Sequence, residues 1–278
     1  MLKTLGADMY ALGRANPSEE VSTGDGMYRL EHVMKHDFWA ATSLYRPVAS
    51  RDEDKGAERG RIVLKLYRQQ KFVVLPMRWI GRWLRRREMN NLRRLEGIAN
   101  VPHVLGRFET TGFFYRYIQG RSLDEGARLS QQFFDELVEL IRQIHKRRMA
   151  YMDMNKRGNI LCGTDGRPYL IDFQISMHVG KYALGIPALS GWFLRMLQRE
   201  DLFHLYKHKV RLRLDLVRGE ELELLRMSRL IRVHRIIAGP FHRARRAVLR
   251  CLHRRGLLRS GGSEDRSPEN NPDRFLRH

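Results

Sequence analysis

The chain has 278 residues, 42% of them hydrophobic, enough for one large domain or two modest lobes around a sizeable core. Two cysteines, Cys162 and Cys251, exclude a disulfide framework and point to a reducing compartment. A net charge of +21 favours polyanionic partners: nucleic acid, an anionic membrane surface or a phosphorylated substrate.

The first ten residues, M-L-K-T-L-G-A-D-M-Y, lack the apolar core of a signal peptide. No run of about 18 apolar residues offers a membrane span, so a cytoplasmic location is expected. Residues 1–27, with turn formers at Asn16-Pro17 and Gly24-Asp25-Gly26, read as a loosely packed lead-in. Residues 28–35 and 38–46 are rich in aromatic and branched side chains and predict two strands. A charged, glycine-punctuated stretch at 51–60 predicts an exposed loop. Residues 61–67, R-I-V-L-K-L-Y, predict a short buried strand with a lone cation, Lys65.

A buried lysine is costly unless it is paired. Lys65 either points to solvent from a half-exposed strand or meets an acid. Residues 85–95 supply one on a predicted helix. Met89, Leu92 and Leu95 form its apolar stripe, and Glu88 lies one turn before Leu92 on that side. Glu96 is the alternative partner, at the helix end before Gly97. Residues 104–109 and 113–118 predict another strand pair turning at Thr111-Gly112, and Gln119-Gly120 then breaks the chain. A helix follows over 130–149, capped by Ser130, with Phe134, Leu137, Val138, Ile141, Ile144 and His145 at helical spacing. His145 reads as a packed helix residue.

The stretch at 151–176, Y-M-D-M-N-K-R-G-N-I-L-C-G-T-D-G-R-P-Y-L-I-D-F-Q-I-S, organises the chain. Ile160-Leu161-Cys162 and Tyr169-Leu170-Ile171 read as brief strands joined by an Asp165-Gly166 turn. Pairing them brings Asp153 and Asn159, on the loop before the hairpin, towards Asp172, just after it. Two carboxylates and an amide carbonyl suit a hard cation such as Mg2+, which takes few protein ligands and substrate phosphates.

Beyond this stretch, residues 182–196 are apolar and contain Trp192 and Phe193. They fit either core packing or a membrane- or acceptor-facing loop. His204 and His208 stand four apart, but no adjoining third ligand supports a metal site. Residues 224–263 hold eleven arginines and no acidic residue, and Pro240 divides them into two basic helices. Together with Trp79 and Trp83 among the arginines of 77–87, they suit an anionic membrane or acidic partner. Nucleic acid would rest on charge alone, with no recognisable RNA- or DNA-binding motif. The polar tail at 260–278 is expected to be disordered.

Taken together, these residues resemble the protein-kinase-like superfamily. A strand lysine (Lys65) precedes a helix glutamate (Glu88). A strand ends in the hinge-like Y-R-Y-I-Q-G at 115–120. A long helix leads to Y-M-D-M-N-K-R-G-N and then to I-D-F-Q. D-F-Q in place of D-F-G, and the small size, are similar to the atypical branch: RIO-type kinases, lipopolysaccharide-core sugar kinases and related bacterial phosphotransferases.

The resemblance implies an α+β, two-lobed fold, with a small antiparallel-sheet N-lobe at 28–118 and a mainly helical C-lobe at 119–259. It implies ATP and Mg2+ as cofactors. Lys65 would hold the α/β-phosphates, Glu88 would hold Lys65, and Tyr117 of the hinge would line the nucleotide site. Asp153 would take the proton of the attacking hydroxyl, and Asn159 and Asp172 would bind Mg2+.

The sequence departs from the family pattern at three points. Tyr151-Met152 stands where His-Arg is usual, which argues against control by activation-loop phosphorylation. Asn159 lies six positions after Asp153 where the pattern has five, so a bulge at 156–158 relieved by Gly158 is expected. Asn155 is the weaker alternative ligand. No G-x-G-x-x-G precedes Lys65, so Lys35, or the hydroxyls of Thr42 and Ser43, would replace backbone amides over the phosphates.

The expected activity is transfer of the γ-phosphoryl group of ATP to a hydroxyl. The acceptor would be a lipid-linked sugar, a lipid or a protein serine, with a membrane-linked acceptor favoured. The rival expectation is a pseudokinase acting as a basic membrane- or RNA-binding module.

Overall fold

The computed structural model describes residues 10–48, 60–71, 76–123 and 129–226. The loop expected over 51–60 (all but Gly60), the basic helices beyond residue 226 and the polar tail lie outside the described residues. The chain forms two compact units. One holds the described residues up to Arg85 together with Val104–Tyr117, and the other holds Arg86–His103 and the described residues from Ile118.

The first unit is a six-stranded antiparallel sheet in the order β1-β2-β3-β4-β6-β5. Its strands are β1 (Glu20–Thr23), β2 (Gly26–His36), β3 (Ala40–Pro47), β4 (Ile62–Tyr67), β5 (Val104–Phe108) and β6 (Gly112–Arg116). The three expected strands and the pair after them are present. The lead-in is not loosely packed, however. β1 pairs with β2 from Glu20↔Arg29 to Thr23↔Gly26, and Ala11 and Leu12 are buried. The Ala11 N–H donates to the Asp37 carbonyl at 2.8 Å, which ties this segment to the β2–β3 turn.

β4 runs between β3 and β6 and is buried along its whole length, as a central strand must be. Alternation sends Ile62, Leu64 and Leu66 to one face, where they join Leu12, Tyr45 and Phe114 in an apolar cluster. Val63, Lys65 and Tyr67 take the other face. Helix α1 (Arg78–Arg94) begins seven residues before the expected start. Its first turns come so close to the end of β4 that a Cβ on Gly81 would lie 2.1 Å from the Arg68 carbonyl oxygen. Only glycine fits there.

In the second unit, β9 (Ile160–Gly163) pairs with β10 (Pro168–Leu170) as the expected hairpin, and β7 (Gly120–Ser122) adds to its other edge. Gly166 takes the left-handed turn at φ 77°. A two-residue ribbon joins β8 (Met149–Ala150) to β11 (Met177–His178) and closes the ends of the 151–176 stretch.

Helix α2 (Gln131–Lys146) is capped by Ser130, whose hydroxyl accepts the Phe133 N–H at 3.1 Å. Phe134, Leu137, Ile141 and Ile144 form its buried stripe. Helices α3 (Pro187–Leu212) and α4 (Gly219–Arg226) complete the unit. Among the described residues, no helix is long and apolar enough to cross a membrane.

Candidate active site

The site of the second unit is built around one side chain, Tyr151, which is fully buried. Its hydroxyl donates to the Ile171 carbonyl, one residue before Asp172. Its N–H donates to Asp201 Oδ2 at 2.8 Å, and its carbonyl accepts from Ser176 Oγ at 2.8 Å. Every polar group of Tyr151 is therefore used, and each bond fixes one end of the stretch to another. Burial first, then the charges of Asp153, Asp172, Asp201 and Glu88, push its phenol well above the usual value. Those four carboxylates surround the ring.

Asp153 follows Tyr151 on a backbone that bends through Met152 at φ 65°. Left-handed backbone is unusual for a non-glycine residue and clusters where function requires it. Here Asp201 of α3 compensates, accepting the Met152 N–H at 2.7 Å on its other oxygen. Asp153 itself is buried, and Oδ2 accepts from Lys156 Nζ and Asn159 Nδ2, both at 2.8 Å. Burial raises its pKa, the Lys156 cation opposes that, and the Asp172 charge adds to it. The two carboxylates thus sense each other, as the hairpin argument required.

The extra residue before Asn159 is accommodated, but not through Gly158. Residues Arg157–Asn159 form a single 3-10 turn with the Asn159 N–H on the Lys156 carbonyl at 3.1 Å. Gly158 is absent from the glycines with positive φ, so this turn, not a strained glycine, absorbs the insertion. Asn159 in turn accepts the Ile171 N–H on its backbone carbonyl at 3.0 Å, which brings its loop beside Asp172. Asp172 has φ 60°, the second left-handed residue of the site. Asn155 is engaged elsewhere: its Oδ1 accepts from Lys207 of α3 at 3.1 Å.

Glu88, buried on α1, accepts the Phe173 N–H at 3.1 Å. One turn on, the Asn91 amide donates to the carbonyls of Phe173 (3.1 Å) and Ser176 (2.9 Å). The helix therefore grips the residues that follow Asp172 from both sides.

The remaining expected site residues lie in the first unit. Lys65 is buried in β4, with its ammonium 5.5 Å from the centre of the Tyr67 ring. Strand register sets Lys35 opposite Thr42, Thr42 opposite Lys65 and Lys65 opposite Phe113. Directly opposed residues share a face, so Lys35, Thr42 and Lys65 form one cross-strand row. Ser43 is the exception. It pairs with Leu64 on the apolar face, and its buried hydroxyl has no partner. The expectation that Ser43 could serve beside Thr42 is thereby corrected. Lys35 also pairs with Asp37 at 2.9 Å. Tyr117 follows β6 and bonds its N–H to the Arg61 carbonyl at 3.1 Å, at the last residue before the chain enters the second unit.

Two residues escaped the sequence reading. Asp201 carries no sequence signal of its own, and Lys156 enters only through the bulge expected at 156–158. Acid on a helix carries no motif, but Asp201 is fully buried, and a buried carboxylate implies donors aimed at it. His145 supplies a third contact to it, at 3.0 Å, so it is more than a packed helix residue.

The donor chemistry at Asp153, Asn159 and Asp172 is oxygen-based and fits Mg2+, which needs only one or two such ligands beside phosphates. The described residues contain no group of three or more His, Cys, Asp or Glu able to hold a metal ion. The His204/His208 pair is not such a site: His208 is buried with Nε2 2.8 Å from the Met154 carbonyl oxygen.

No protein-family model matches the chain, and no curated protein matches it. Among solved structures it is similar to a RIO kinase. That structure is the Rio2 kinase–ADP/Mg2+–phosphoaspartate complex from Chaetomium thermophilum, at 14% identity and a TM-score of 0.49. The match covers 72% of this chain and 58% of the Rio2 chain. The α+β class, with an antiparallel N-terminal sheet followed by a helical unit, stands on the architecture described above.

Proposed function

We propose that the chain is an ATP- and Mg2+-dependent phosphotransferase. The observation that carries this reading is the convergence of Asp153, Asn159 and Asp172 around buried Tyr151, on loops held by Asp201 and Glu88. Three oxygen-bearing side chains held this rigidly, one of them (Asp172) on left-handed backbone and another (Asp153) directly after a left-handed residue, serve little structural purpose, since an apolar core would be cheaper to fold.

In this reading Asp153 accepts the proton of an acceptor hydroxyl as its oxygen attacks the γ-phosphorus and the bond to the β-phosphate oxygen breaks. Burial raises the basicity of Asp153, which suits a general base. Asn159, whose amide nitrogen is committed to Asp153, presents its carbonyl oxygen with Asp172 to the metal. Mg2+ would neutralise the phosphate oxygens and the leaving ADP. Lys156, paired with Asp153, is placed to offer positive charge to the transferred phosphoryl group. Lys65 binds the α/β-phosphates. Lys35 and Thr42, in the Lys65 row, replace the missing glycine-rich loop. Tyr117 lines the nucleotide site. The acceptor is a hydroxyl on a lipid-linked sugar, a lipid or a protein, with the membrane-linked classes favoured by the basic, apolar-rich surface.

Purified protein should turn over ATP only with Mg2+, and Asp153→Ala and Asp172→Ala should each lower that turnover by at least about a hundredfold. Undiminished turnover in Asp172→Ala would sink the metal assignment. Absence of both nucleotide binding and turnover in the unsubstituted chain would leave a binding module in its place.

A further inference from the structure

Residues 181–189 are exposed without interruption, and they are apolar apart from Lys181. Tyr182 (63% exposed), Ile186 (61%) and Trp192 (52%) are the most open, with Leu184 and Leu189 close behind. Residues 182–194 contain no Asp, Glu, Lys or Arg, in a chain of which 30% is charged. A contiguous apolar surface of this kind marks an interaction site.

The surface is built. The Gly185 N–H donates to the Tyr182 carbonyl at 3.0 Å, and Gly185 takes φ 78° to turn the chain. The Leu184 N–H donates to Ser190 Oγ at 2.9 Å, so the first turn of α3 reaches back and locks the loop in front of it. Ser190 is fully buried beneath the ridge that it holds up. A folded loop that spends its hydrogen bonds on keeping leucine, isoleucine and tryptophan outward presents them to something.

Polarity along α3 indicates what that is. Leu189, Trp192, Arg195 and Arg199 are exposed at spacings of three and four, so they share one helix face. The order along that face is aliphatic, then aromatic, then two cations. Arg195 lies six residues after Leu189, which is ~9 Å along a helix axis. Entry by the N-terminal end places the aliphatic residues in the acyl boundary, about 5–10 Å deep, with tryptophan at the headgroup level and the cations on the phosphates. On the other flank, Lys181 stacks its ammonium 5.6 Å from the centre of the Tyr182 ring, which gives the same aromatic–cation pairing there. A protein acceptor would not require this graded order, and a second copy of a chain carrying +21 would be repelled.

We propose that residues 181–199 are an interfacial anchor by which the catalytic unit docks on an anionic lipid bilayer. Leu184, Ile186 and Leu189 enter the acyl boundary, and Lys181, Arg195 and Arg199 meet lipid phosphates. The segment enters the interface by its N-terminal end and does not span the bilayer. The proposal deepens the phosphotransferase reading, and rests on it, only in making the acceptor hydroxyl one carried by a lipid. The docking itself is measured without turnover.

The test floats the full chain with vesicles of phosphatidylcholine alone and of phosphatidylcholine mixed with phosphatidylglycerol, at low and high salt. Other basic segments can bind anionic vesicles through charge, but that binding is screened by salt and apolar insertion is not. The unsubstituted chain should stay with anionic vesicles at high salt. Ile186→Asp combined with Leu189→Asp should partition at least about a hundredfold less under that condition, as expected for removing two buried aliphatic side chains. Both positions are exposed, so the variant should fold and still bind Mg2+-ATP, and Asp153→Ala should float like the unsubstituted chain. Vesicles with brominated acyl chains should quench tryptophan emission, and Trp192→Phe should remove that quenching. Flotation at high salt that is indifferent to the double substitution, or quenching that survives Trp192→Phe, overturns the proposal. So does a Leu189-dependent dimer in vesicle-free solution.

Discussion

Among single residues, Asp153 and Lys156 bear the closest scrutiny. Burial drives the pKa of Asp153 up, and the Lys156 ammonium at 2.8 Å restrains it. A base must be ionised to work, so the acid limb of turnover should lie above the ordinary aspartate value near 3.8. Lys156→Met removes the restraining cation, and the limb of kcat/KM should move to higher pH. An unmoved limb would mean that the pair does not govern the base in solution. The juxtaposition of Asp153, Asn159 and Asp172 was legible in the sequence because oxygen-bearing side chains flanking a hairpin signal can be read from spacing. Gly158 and Ser43 were misjudged. Local backbone geometry decides the first, and strand register, which a single residue of slip inverts, decides the second.

Helix α3 illustrates what an element contributes that no motif announces. Asp201 is buried within it and holds the N–H groups of Tyr151 and Met152 on separate oxygens. Removing it leaves two buried donors unpaired, at about 1–3 kcal/mol each. Asp201→Ala should therefore lower unfolding stability by about 2–5 kcal/mol and depress turnover, while Asp201→Asn, which keeps one acceptor oxygen, should fall between. Hydrogen exchange reads the cause directly: the Tyr151 and Met152 amides should lose protection in Asp201→Ala ahead of the helix α2 amides. Equal protection in both proteins would show that Asp201 does not hold the loop. Helix α2 was legible because its apolar stripe repeats at helical spacing and Ser130 caps it. Helix α3 was not, because its apolar residues are divided between a buried side and an open one, which blurs the period. The strand β1 is only four residues long and offers one buried side chain, Val21, too little pattern to separate from a loop.

At the scale of the whole molecule, the described chain passes between the units at Arg85–Arg86, His103–Val104 and Tyr117–Ile118. The break at Gln119-Gly120 stands near the last of these, and no turn signal marks the first, which falls inside helix α1. If nucleotide binds as proposed, Mg2+-ATP at about a hundredfold over its dissociation constant should stabilise the folded chain by about 2.7 kcal/mol. Thermal unfolding measures this, and Lys65→Met should erase most of the shift, read against that variant's own nucleotide-free midpoint. A full shift in Lys65→Met would separate Lys65 from the phosphates. The exposure of residues 181–189 could not be read from composition, because hydrophobicity predicts that a surface will be covered and is silent about what covers it.

The phenol of Tyr151 has one more consequence. In the family pattern the position holds histidine, whose charge changes within the physiological range. A tyrosine pushed well above its usual pKa keeps its proton throughout the acid and neutral range. The peg joining the Asp153 loop to the Asp172 loop is therefore blind to acidity, while the base beside it is not. Protonation can switch the chemistry off and on without disturbing the frame that aligns it, so inactivation by mild acid should be immediate and fully reversible.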